Sequence, residues 1–441
     1  MANTAPQRSL RRLSLGVPPA LRYPAYRAFW FGLLASVSGY QMLRFGQFWL
    51  IYQLTGSSLA LGYMGLATGV PAICLNLFGG VFADTFDQRR LIMTTQSITA
   101  SLIFVLATLT LLDIVQVWHV LVIAFFAGMV EAFDQPARQS LYPHLIDRQV
   151  MLSAVALNSS IWQGTRIIAP AVAGFIIAWA GTAVAFFLAG LGFLSMALMI
   201  FRLRMPPVTR RLRDSAVRDI LEGLTFIRQN SIFSFLITMT FFNSFFGLAY
   251  ITLMPVLAVD ILQVGAKGQG LLMGAGGVGS LLTTLWLSAR SNVGSNGWRI
   301  IGGGVMSGLS IVTLGLTSAL IGSFGLALAV MLIIGICNTT YTTSIQSSLQ
   351  MLVPDNMRGR VMGFYGMTYN IMPLGGMLVG GLADLISAPF AIAIGGLAVA
   401  AFAIGPAMLK GEVRNLGARL RQVETAAASG LQSQRPSPAN T

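Results

Sequence analysis

The basic residues of this chain fall into alternate gaps between long apolar stretches. The chain has 28 lysines and arginines. About a dozen apolar stretches of roughly 20 residues or more are long enough to cross a hydrocarbon layer of about 30 Å as helices. Because lysine and arginine accumulate on the cytoplasmic side of membranes, the alternation predicts twelve spans with both termini in the cytoplasm. The basic gaps include Arg89–Arg90, Arg138–Arg148, Arg202–Arg228, Arg290–Arg299 and Arg358–Arg360.

The composition excludes several classes of protein. Hydrophobic residues make up 55% of the chain and charged residues 10%, which is outside the range of soluble globular domains. The net charge of +14 comes from the loop arginines, so we expect a lipid bilayer and no nucleic acid as partner. Cys74 and Cys337 fall in predicted spans of opposite halves, and His119 and His144 are the only histidines. The sequence therefore predicts no disulfide, no metal site and no enzyme active site.

The apolar stretches form two groups of six. The predicted spans are 28–54, 60–83, 91–112, 117–141, 150–178, 181–203, 232–257, 266–289, 299–320, 323–353, 360–386 and 388–409. We expect a cytoplasmic N-terminal tail at 1–26, a six-helix bundle at 27–203, a cytoplasmic linker at 204–230, a second six-helix bundle at 231–410 and a cytoplasmic, disordered C-terminal tail at 411–441. The linker stretch Val217–Ile227 has apolar residues at helical spacing, which predicts an amphipathic helix on the cytoplasmic surface.

The two halves resemble one another weakly. Residues 145–148 precede the fifth predicted span and residues 353–356 the eleventh, and each segment leads into a span rich in small residues. An all-α integral membrane fold with two six-helix repeats around a site near the midplane is the architecture of many secondary transporters. The repeat therefore favours transport.

Longer motifs make this resemblance specific. Residues 79–91, between the second and third predicted spans, resemble motif A of the major facilitator superfamily, and residues 164–174 resemble a softened form of its antiporter motif, with Pro170 and Gly174 kept. Segments 49–57, 132–139, 156–159 and 358–362 resemble the bacterial branch that includes the enterobactin exporter and macrolide-efflux proteins.

The resemblance implies a function in the bacterial cytoplasmic (inner) membrane. It implies a proton-coupled antiporter that exports lipophilic or amphiphilic small molecules, such as drugs, macrolides or siderophores, by alternating access. The energy source would be the proton gradient, with no cofactor, and we expect a monomer. One alternative is an uptake transporter of a small organic solute on the same fold. Another is a membrane sensor or scaffold that moves no cargo.

Motif A predicts a cytoplasmic gate. A small residue, Gly80, would allow close helix approach, and Asp84 would end the second span on the cytoplasmic side. This carboxylate would pair with arginines across the repeat boundary in the outward-open state and release them when the halves rock. Alternatively, the charges only cap helices at the headgroups. The basic residues of the predicted gate are Arg89, Arg90, Arg358 and Arg360.

Acidic residues within the fourth predicted span are candidates for proton coupling. A charge at the centre of a membrane helix costs about 2.5–3.5 kcal/mol on insertion scales, so each one requires an explanation. Asp134 lies four residues before Arg138, and we predict a structural ion pair between them. Glu131 has no obvious local partner. We predict that it binds and releases a proton as the cavity opens to either side, or else that it lines the cavity without coupling.

Two arginines and a polar patch complete the predicted site. Arg44 and Arg166 fall at one level of the first and fifth spans, one to two helical turns beyond the acids. They would form an anion site at the cavity roof or pair with carbonyl groups and neighbouring glutamines. Asn338 and Tyr341, on the tenth span, would face the cavity opposite Glu131 or serve as polar contacts between helices.

Overall fold

The computed structural model describes residues 18–203, 216–289 and 296–409. Within these ranges, the side chains of 76–85, 216–220, 289, 296, 355–356 and 406–409 lie outside the described set. The described elements are helices. The first half comprises α1 (Pro24–Thr55), α2 (Ser58–Thr85), α3 (Gln88–Leu111), α4 (Val117–Leu141), α5 (Met151–Ala180) and α6 (Thr182–Arg202). Residues 1–17 of the N-terminal tail predicted at 1–26, and the whole C-terminal tail predicted at 411–441, lie outside the described residues.

The second half follows a separate helix. This helix, α7 (Ala216–Gln229), comes from the predicted linker. The second half comprises α8 (Ser231–Phe242), α9 (Met254–Val256), α10 (Gly265–Ala289), α11 (Asn296–Leu320), α12 (Phe324–Leu352), α13 (Asp355–Met367), α14 (Met372–Leu385) and α15 (Ala388–Leu409).

The seventh and eleventh predicted spans are irregular. Between α8 and α10 the chain passes through π-helical turns at Asn243–Gly247 and Leu257–Ile261 and a 3-10 turn at Ala249–Leu253. Pro255, at the start of α9, has no N–H group for a regular helical bond. A 3-10 turn at Thr368–Ile371 separates α13 from α14, and Pro373 lies in the first turn of α14, where its missing N–H is tolerated.

Ten helical segments in the described part are long and apolar enough to cross a membrane. They coincide with ten of the predicted spans. Helix α1 has 32 residues, but its polar side chains lower its mean hydropathy. The 3-10 turn divides the other remaining span into helices of 13 and 14 residues, each shorter than the roughly 20 residues that a crossing needs. The count of twelve spans therefore stays a prediction.

Small residues bring the helices close together within each half. A Cβ at Gly39 on α1 would lie 2.6 Å from the carbonyl oxygen of Ala189 on α6. In the second half, a Cβ at Gly308 on α11 would lie 2.6 Å from the backbone nitrogen of Ala400 on α15. Close approach of this kind is how helices associate in a bilayer, where apolar burial from water contributes little.

Helix α7 packs against the second half. Arg360 of α13 lies 3.1 Å from Glu222 in an ion pair, and Phe226 stacks on Phe233 of α8 with ring centroids 5.3 Å apart. Ile227 is buried. The linker helix is thus held by one half of the molecule. Its predicted position at the membrane surface remains a prediction.

Candidate functional site

A buried polar cluster lies inside the first half. Asp134 on α4 accepts hydrogen bonds from Thr95 Oγ1 at 2.6 Å and Gln96 Nε2 at 2.9 Å, both on α3. It also lies 2.6 Å from Arg138 Nη2, one helical turn along α4. The predicted Asp134–Arg138 ion pair is therefore present. Three donors satisfy this carboxylate, as a buried charge requires.

Arg138 extends the cluster to α1. Its Nη1 lies 3.5 Å from Ser36 Oγ, and Ser36 donates a hydrogen bond to Gln96 Oε1 at 2.9 Å. Ser36, Gln96, Asp134 and Arg138 are all nearly inaccessible to solvent. The cluster thus joins α1, α3 and α4 through one continuous set of hydrogen bonds.

Glu131 has a local partner, contrary to the prediction. Its Oε1 lies 3.3 Å from Arg138 Nη2. The two residues are seven apart, or about two turns of helix, so their side chains lie on one face of α4. The Glu131 side chain is 23% exposed, whereas that of Asp134 is 2% exposed. Glu131 is therefore the more loosely held and more accessible acid of the cluster.

Arg44 belongs to this cluster and not to a cavity roof. Its guanidinium lies 3.5 Å from Tyr40 Oη, with its central carbon 6.0 Å from the Tyr40 ring centroid. It is also close enough to Glu131 to interact electrostatically. With Arg138 it balances the charges of Glu131 and Asp134. The cluster is thus neutral when both acids are ionised.

A separate cavity lies between the two halves. Its volume is about 250 Å³, and its walls come from α5 of the first half and from α10, α12, α13 and the segment between α8 and α9 of the second. Arg166 lines it, and Arg44 is not among the described residues that do so. The two arginines that the sequence places at one level therefore serve different sites. Polar residues of the cavity wall are Gln163, Arg166, Tyr250, Ser280, Thr284, Asn338, Thr339, Thr342, Thr343, Gln346, Tyr365 and Tyr369.

Helix α12 presents its polar face to this cavity. Asn338, Thr342 and Gln346 recur every four residues along one side of the helix. Asn338 donates a hydrogen bond from Nδ2 to Asn243 Oδ1 at 3.1 Å, which fixes its orientation.

Tyr341 does not face the cavity, contrary to the prediction. It is 1% exposed and packs against Gly303 and Gly304 of α11 in an apolar core. Tyr341 is turned about 60° from Asn338 and about 100° from Thr342 around the helix axis, so it faces α11 while they face the cavity.

The two halves are in contact at the end remote from the arginine-bearing loops, which we call the far end. Tyr52 of the first half donates a hydrogen bond to Asp260 of the second. Asp384 accepts hydrogen bonds from Ser57 Oγ at 3.2 Å and from the backbone N–H of Ser58 at 3.1 Å. These contacts join opposite halves, and Asp384 lies at the N-terminus of α2.

Small residues also close the far end. A Cβ at Gly270 of α10 would lie 2.6 Å from the carbonyl oxygen of Pro170, and Gly174 of α5 faces the backbone of Ala266. On the other side of the molecule, a Cβ at Gly62 of α2 would lie 2.8 Å from Met377 of α14. Pro170 and Gly174, the antiporter-like residues, thus lie where α5 and α10 pack most tightly.

The predicted cytoplasmic gate is described in part. Arg89 donates hydrogen bonds from Nε and Nη2 to the carbonyl oxygens of Ile200 and Phe201 at 3.1 and 2.5 Å. It therefore caps the C-terminus of α6 within its own half, which agrees with the capping alternative. The side chains of Gly80 and Asp84 lie outside the described set.

The other arginines of the predicted gate take different partners. Arg90 donates its backbone N–H to Asp87 at the start of α3. Arg360 pairs with Glu222, and Arg358 has interactions of its own. The contacts given for Arg89, Arg90 and Arg360 lie within one half or with the linker helix.

The sequence prediction missed several polar partners. Thr95 and Gln96 lie on the face of α3 toward Asp134, and their one visible signal is polarity within an apolar span. Asp260 and Asp384 stand near span ends, where an acid is common. Only the packing of the two halves brings them to Tyr52 and Ser58.

Two helical halves that enclose a polar cavity and close over it at one end define a secondary transporter of the membrane. Residues 17–432 match the sequence model of a family described as transmembrane secretion effector. The chain belongs to this family of the major facilitator superfamily. It is a multi-pass protein of the bacterial inner membrane, and its relatives include efflux proteins and exporters.

Individual relatives agree with this assignment. The chain is 26% identical to a staphyloferrin A transporter of Staphylococcus aureus (strain NCTC 8325 / PS 47), over 76% of this chain and 84% of that one. It is 23% identical to macrolide efflux protein A of Streptococcus pyogenes, over 88% and 96%. It shares the fold of a bacterial homologue of the human lysosomal transporter Spinster in an inward-facing, unoccupied conformation, with a TM-score of 0.64 and 13% identity over 96% and 100% of the chains.

Proposed function

We propose that this protein is a proton-coupled antiporter that exports lipophilic or amphiphilic small molecules, such as drugs, macrolides or siderophores, by alternating access. In this proposal α1 and the α13–α14 segment complete twelve spans, and both termini are cytoplasmic. The protein acts as a monomer and uses the proton gradient, with no cofactor. The staphyloferrin A transporter and the macrolide efflux protein support this choice of cargo.

The closed far end supports a state that loads cargo from the cytoplasm. The positive-inside rule assigns the arginine-bearing loops to the cytoplasm. The halves are bonded at the opposite end through Asp260 and Asp384. The cavity wall follows α12 as far as Gln346, toward its cytoplasmic end. Rocking of the halves around this cavity would break the far-end contacts and release cargo outside.

The observation that carries the proton-coupling proposal is that Asp134 has more hydrogen-bond donors than Glu131. Asp134 accepts from three donors, whereas Glu131 shares one of them at a longer distance. A proton carrier must reach water and give up its ion pair, and Glu131, with 23% exposure and one arginine at 3.3 Å, is better suited to this than Asp134. When Glu131 is protonated, Arg138 keeps its bond to Asp134. Arg138 is therefore not left buried without a partner. A buried charge that has lost its partner is strongly destabilising.

The test uses inverted membrane vesicles that contain the protein and have an acidic interior. We measure accumulation of ethidium, erythromycin and enterobactin by wild type, Glu131→Gln and Asp113→Asn. Asp113 is an exposed acid in the loop between α3 and α4 and serves as the matched control. We expect wild type and the control to accumulate at least one compound, and Glu131→Gln to remain at the level of vesicles without the protein.

Other results would change the proposal in defined ways. Gradient-driven accumulation by Glu131→Gln equal to that of wild type would remove Glu131 from proton coupling. Accumulation by right-side-out vesicles alone would establish uptake in place of export. Accumulation that does not respond to collapse of the pH gradient would reject proton antiport itself.

A further inference from the structure

The cavity between the two halves carries an unbalanced positive charge. Arg166 is the only charged side chain among the described residues that line it, and no carboxylate is among them. Unlike Arg138, Arg166 forms no ion pair with an acid in the described part of the chain. The four charges of the cluster around Glu131 balance one another. The cavity itself therefore carries a net charge of one.

Neutral groups that suit an organic anion surround Arg166. Gln163 lies one turn earlier on α5, and Tyr250 and Tyr369 are close enough to interact with the guanidinium. The hydroxyl groups of Tyr365 and Tyr369 are 3.0 Å apart and hydrogen-bonded. Met273 and Ile334 add apolar wall. A planar guanidinium with neighbouring donors matches a carboxylate or a similar oxyanion, and the apolar wall suits the rest of the molecule.

We propose that this cavity selects cargo bearing an acidic group, and that Arg166 binds that group. This inference rests on the proposed export function and narrows its cargo to amphiphilic anions. A lipophilic cation would meet Arg166 with no acid to offset the repulsion. Specificity often comes from such a repulsive element as much as from an attractive one.

The test compares three fluorescent probes that share one aromatic body. Dansylglycine is anionic, dansylamide is uncharged and dansylcadaverine is cationic. Equilibrium binding to purified protein in nanodiscs, followed by the rise in dansyl fluorescence, should rank them in that order. For Arg166→Gln we expect the dissociation constant of dansylglycine to rise about tenfold, which corresponds to about 1.4 kcal/mol. Dansylamide binding should be unchanged, and Arg166→Lys, which keeps the charge and loses the planar fork, should bind dansylglycine with an affinity between those of wild type and Arg166→Gln.

A matched control removes a positive charge elsewhere. Lys267, near the far end, contacts the Phe175 ring and lies outside the cavity wall. Lys267→Gln should bind all three probes as wild type does, which excludes a general effect of net charge. Equal affinity of wild type for the three probes would overturn the inference. Equal weakening of all three by Arg166→Gln in a monodisperse preparation would overturn it as well.

The binding assay separates this inference from the export proposal. It uses no gradient, so charge-selective binding that depends on Arg166 supports the inference even if vesicles transport nothing. Conversely, gradient-driven export of ethidium that is unaffected by Arg166→Gln would keep the export proposal and reject the anion site. If Arg166→Gln aggregates, the dissociation constants of the three probes for wild type and for Arg166→Lys test the inference instead.

Discussion

Loss of the Asp384 carboxylate should open the far end of the molecule. Asp384 belongs to α14 in the second half, yet it accepts hydrogen bonds from Ser57 and from the backbone N–H of Ser58, where α2 of the first half begins. It therefore caps a helix of the opposite half. This contact exists only while the far end is closed, so it favours that state over the open one.

Two replacements of Asp384, by asparagine and by alanine, should change the ratio of open to closed molecules by different amounts. Asp384→Asn keeps an acceptor and loses the charge, and a charge at an exposed helix N-terminus is worth about 0.3–1 kcal/mol. The ratio of open to closed molecules should therefore rise about two- to fivefold. Asp384→Ala removes the capping acceptor together with the charge, a total loss of about 0.5–2 kcal/mol, so the ratio should rise to as much as about thirtyfold.

Pulsed electron-paramagnetic resonance distances measure this ratio directly. Nitroxide labels at Ile114→Cys and Leu320→Cys report on the two halves at the far end, since both side chains are exposed in loops or at helix ends there. Cys74 and Cys337 are first replaced by serine. Open molecules should appear as a second, longer distance. Its share should grow from wild type to Asp384→Asn and grow again in Asp384→Ala.

The control is an acid with a similar contact inside one half. Asp147 accepts a hydrogen bond from Tyr23 at 2.6 Å at the arginine-bearing end, so Asp147→Asn should not alter the distance distribution. Combining Asp384→Ala with Asp260→Ala removes both carboxylates, and with them both acceptors, and should increase the long distance beyond either single change. A distribution that stays the same in this double variant would refute the reasoning, because the acids would then contribute nothing to closure.

Two further predictions concern stability and packing. Gln96→Leu should lower the free energy of unfolding by about 1–3 kcal/mol, because it leaves buried polar partners unsatisfied. Thermal unfolding in detergent measures this, and Ser101→Ala, which loses only an exposed local bond, should have little effect; equal losses would contradict the claim. Gly270→Val should raise the share of the long spin-label distance, because the new side chain would push α10 away from α5. Gly302→Ala, where a Cβ meets nothing within 4 Å, is the control, and an unchanged distribution in Gly270→Val would reject the packing argument.

The sequence predicted the helices well wherever each one is a regular apolar stretch. The third span was predicted at 91–112, and α3 is Gln88–Leu111. The seventh span was predicted as one helix at 232–257, whereas the chain there contains two π-helical turns. Apolar length reports that a segment crosses the bilayer. It does not report how local hydrogen bonding adapts around Pro255 and Asn243.

The site was predictable only where contacts are local. The Asp134–Arg138 pair follows from a four-residue spacing, and the sequence identified it. The second ion pair of Arg138, with Glu131, joins residues that are seven apart along α4, a spacing that the four-residue rule does not cover. The helix-to-helix contacts depend on how each helix is rotated about its axis. That rotation separates Tyr341 from Asn338 and directs Arg44 and Arg166 to different sites.

The two proposed sites place an electrical condition on coupling. Protonation of Glu131 would change the neutral cluster to a net charge of +1, and Arg166 carries a further positive charge on the neighbouring helix. The positive charge of the protonated cluster would therefore attract an anionic cargo. Any competition between the proton and the cargo must then come from the conformational change between open and closed states, and not from their charges. Exchange of one proton inward for one monoanion outward moves two charges in the direction that an inside-negative potential favours. Each charge contributes about 2.3 kcal/mol per 100 mV, so two charges moving through a potential of about 100 mV contribute about 4.6 kcal/mol per cycle. The membrane potential would thus drive export of an anion even where the pH gradient is small.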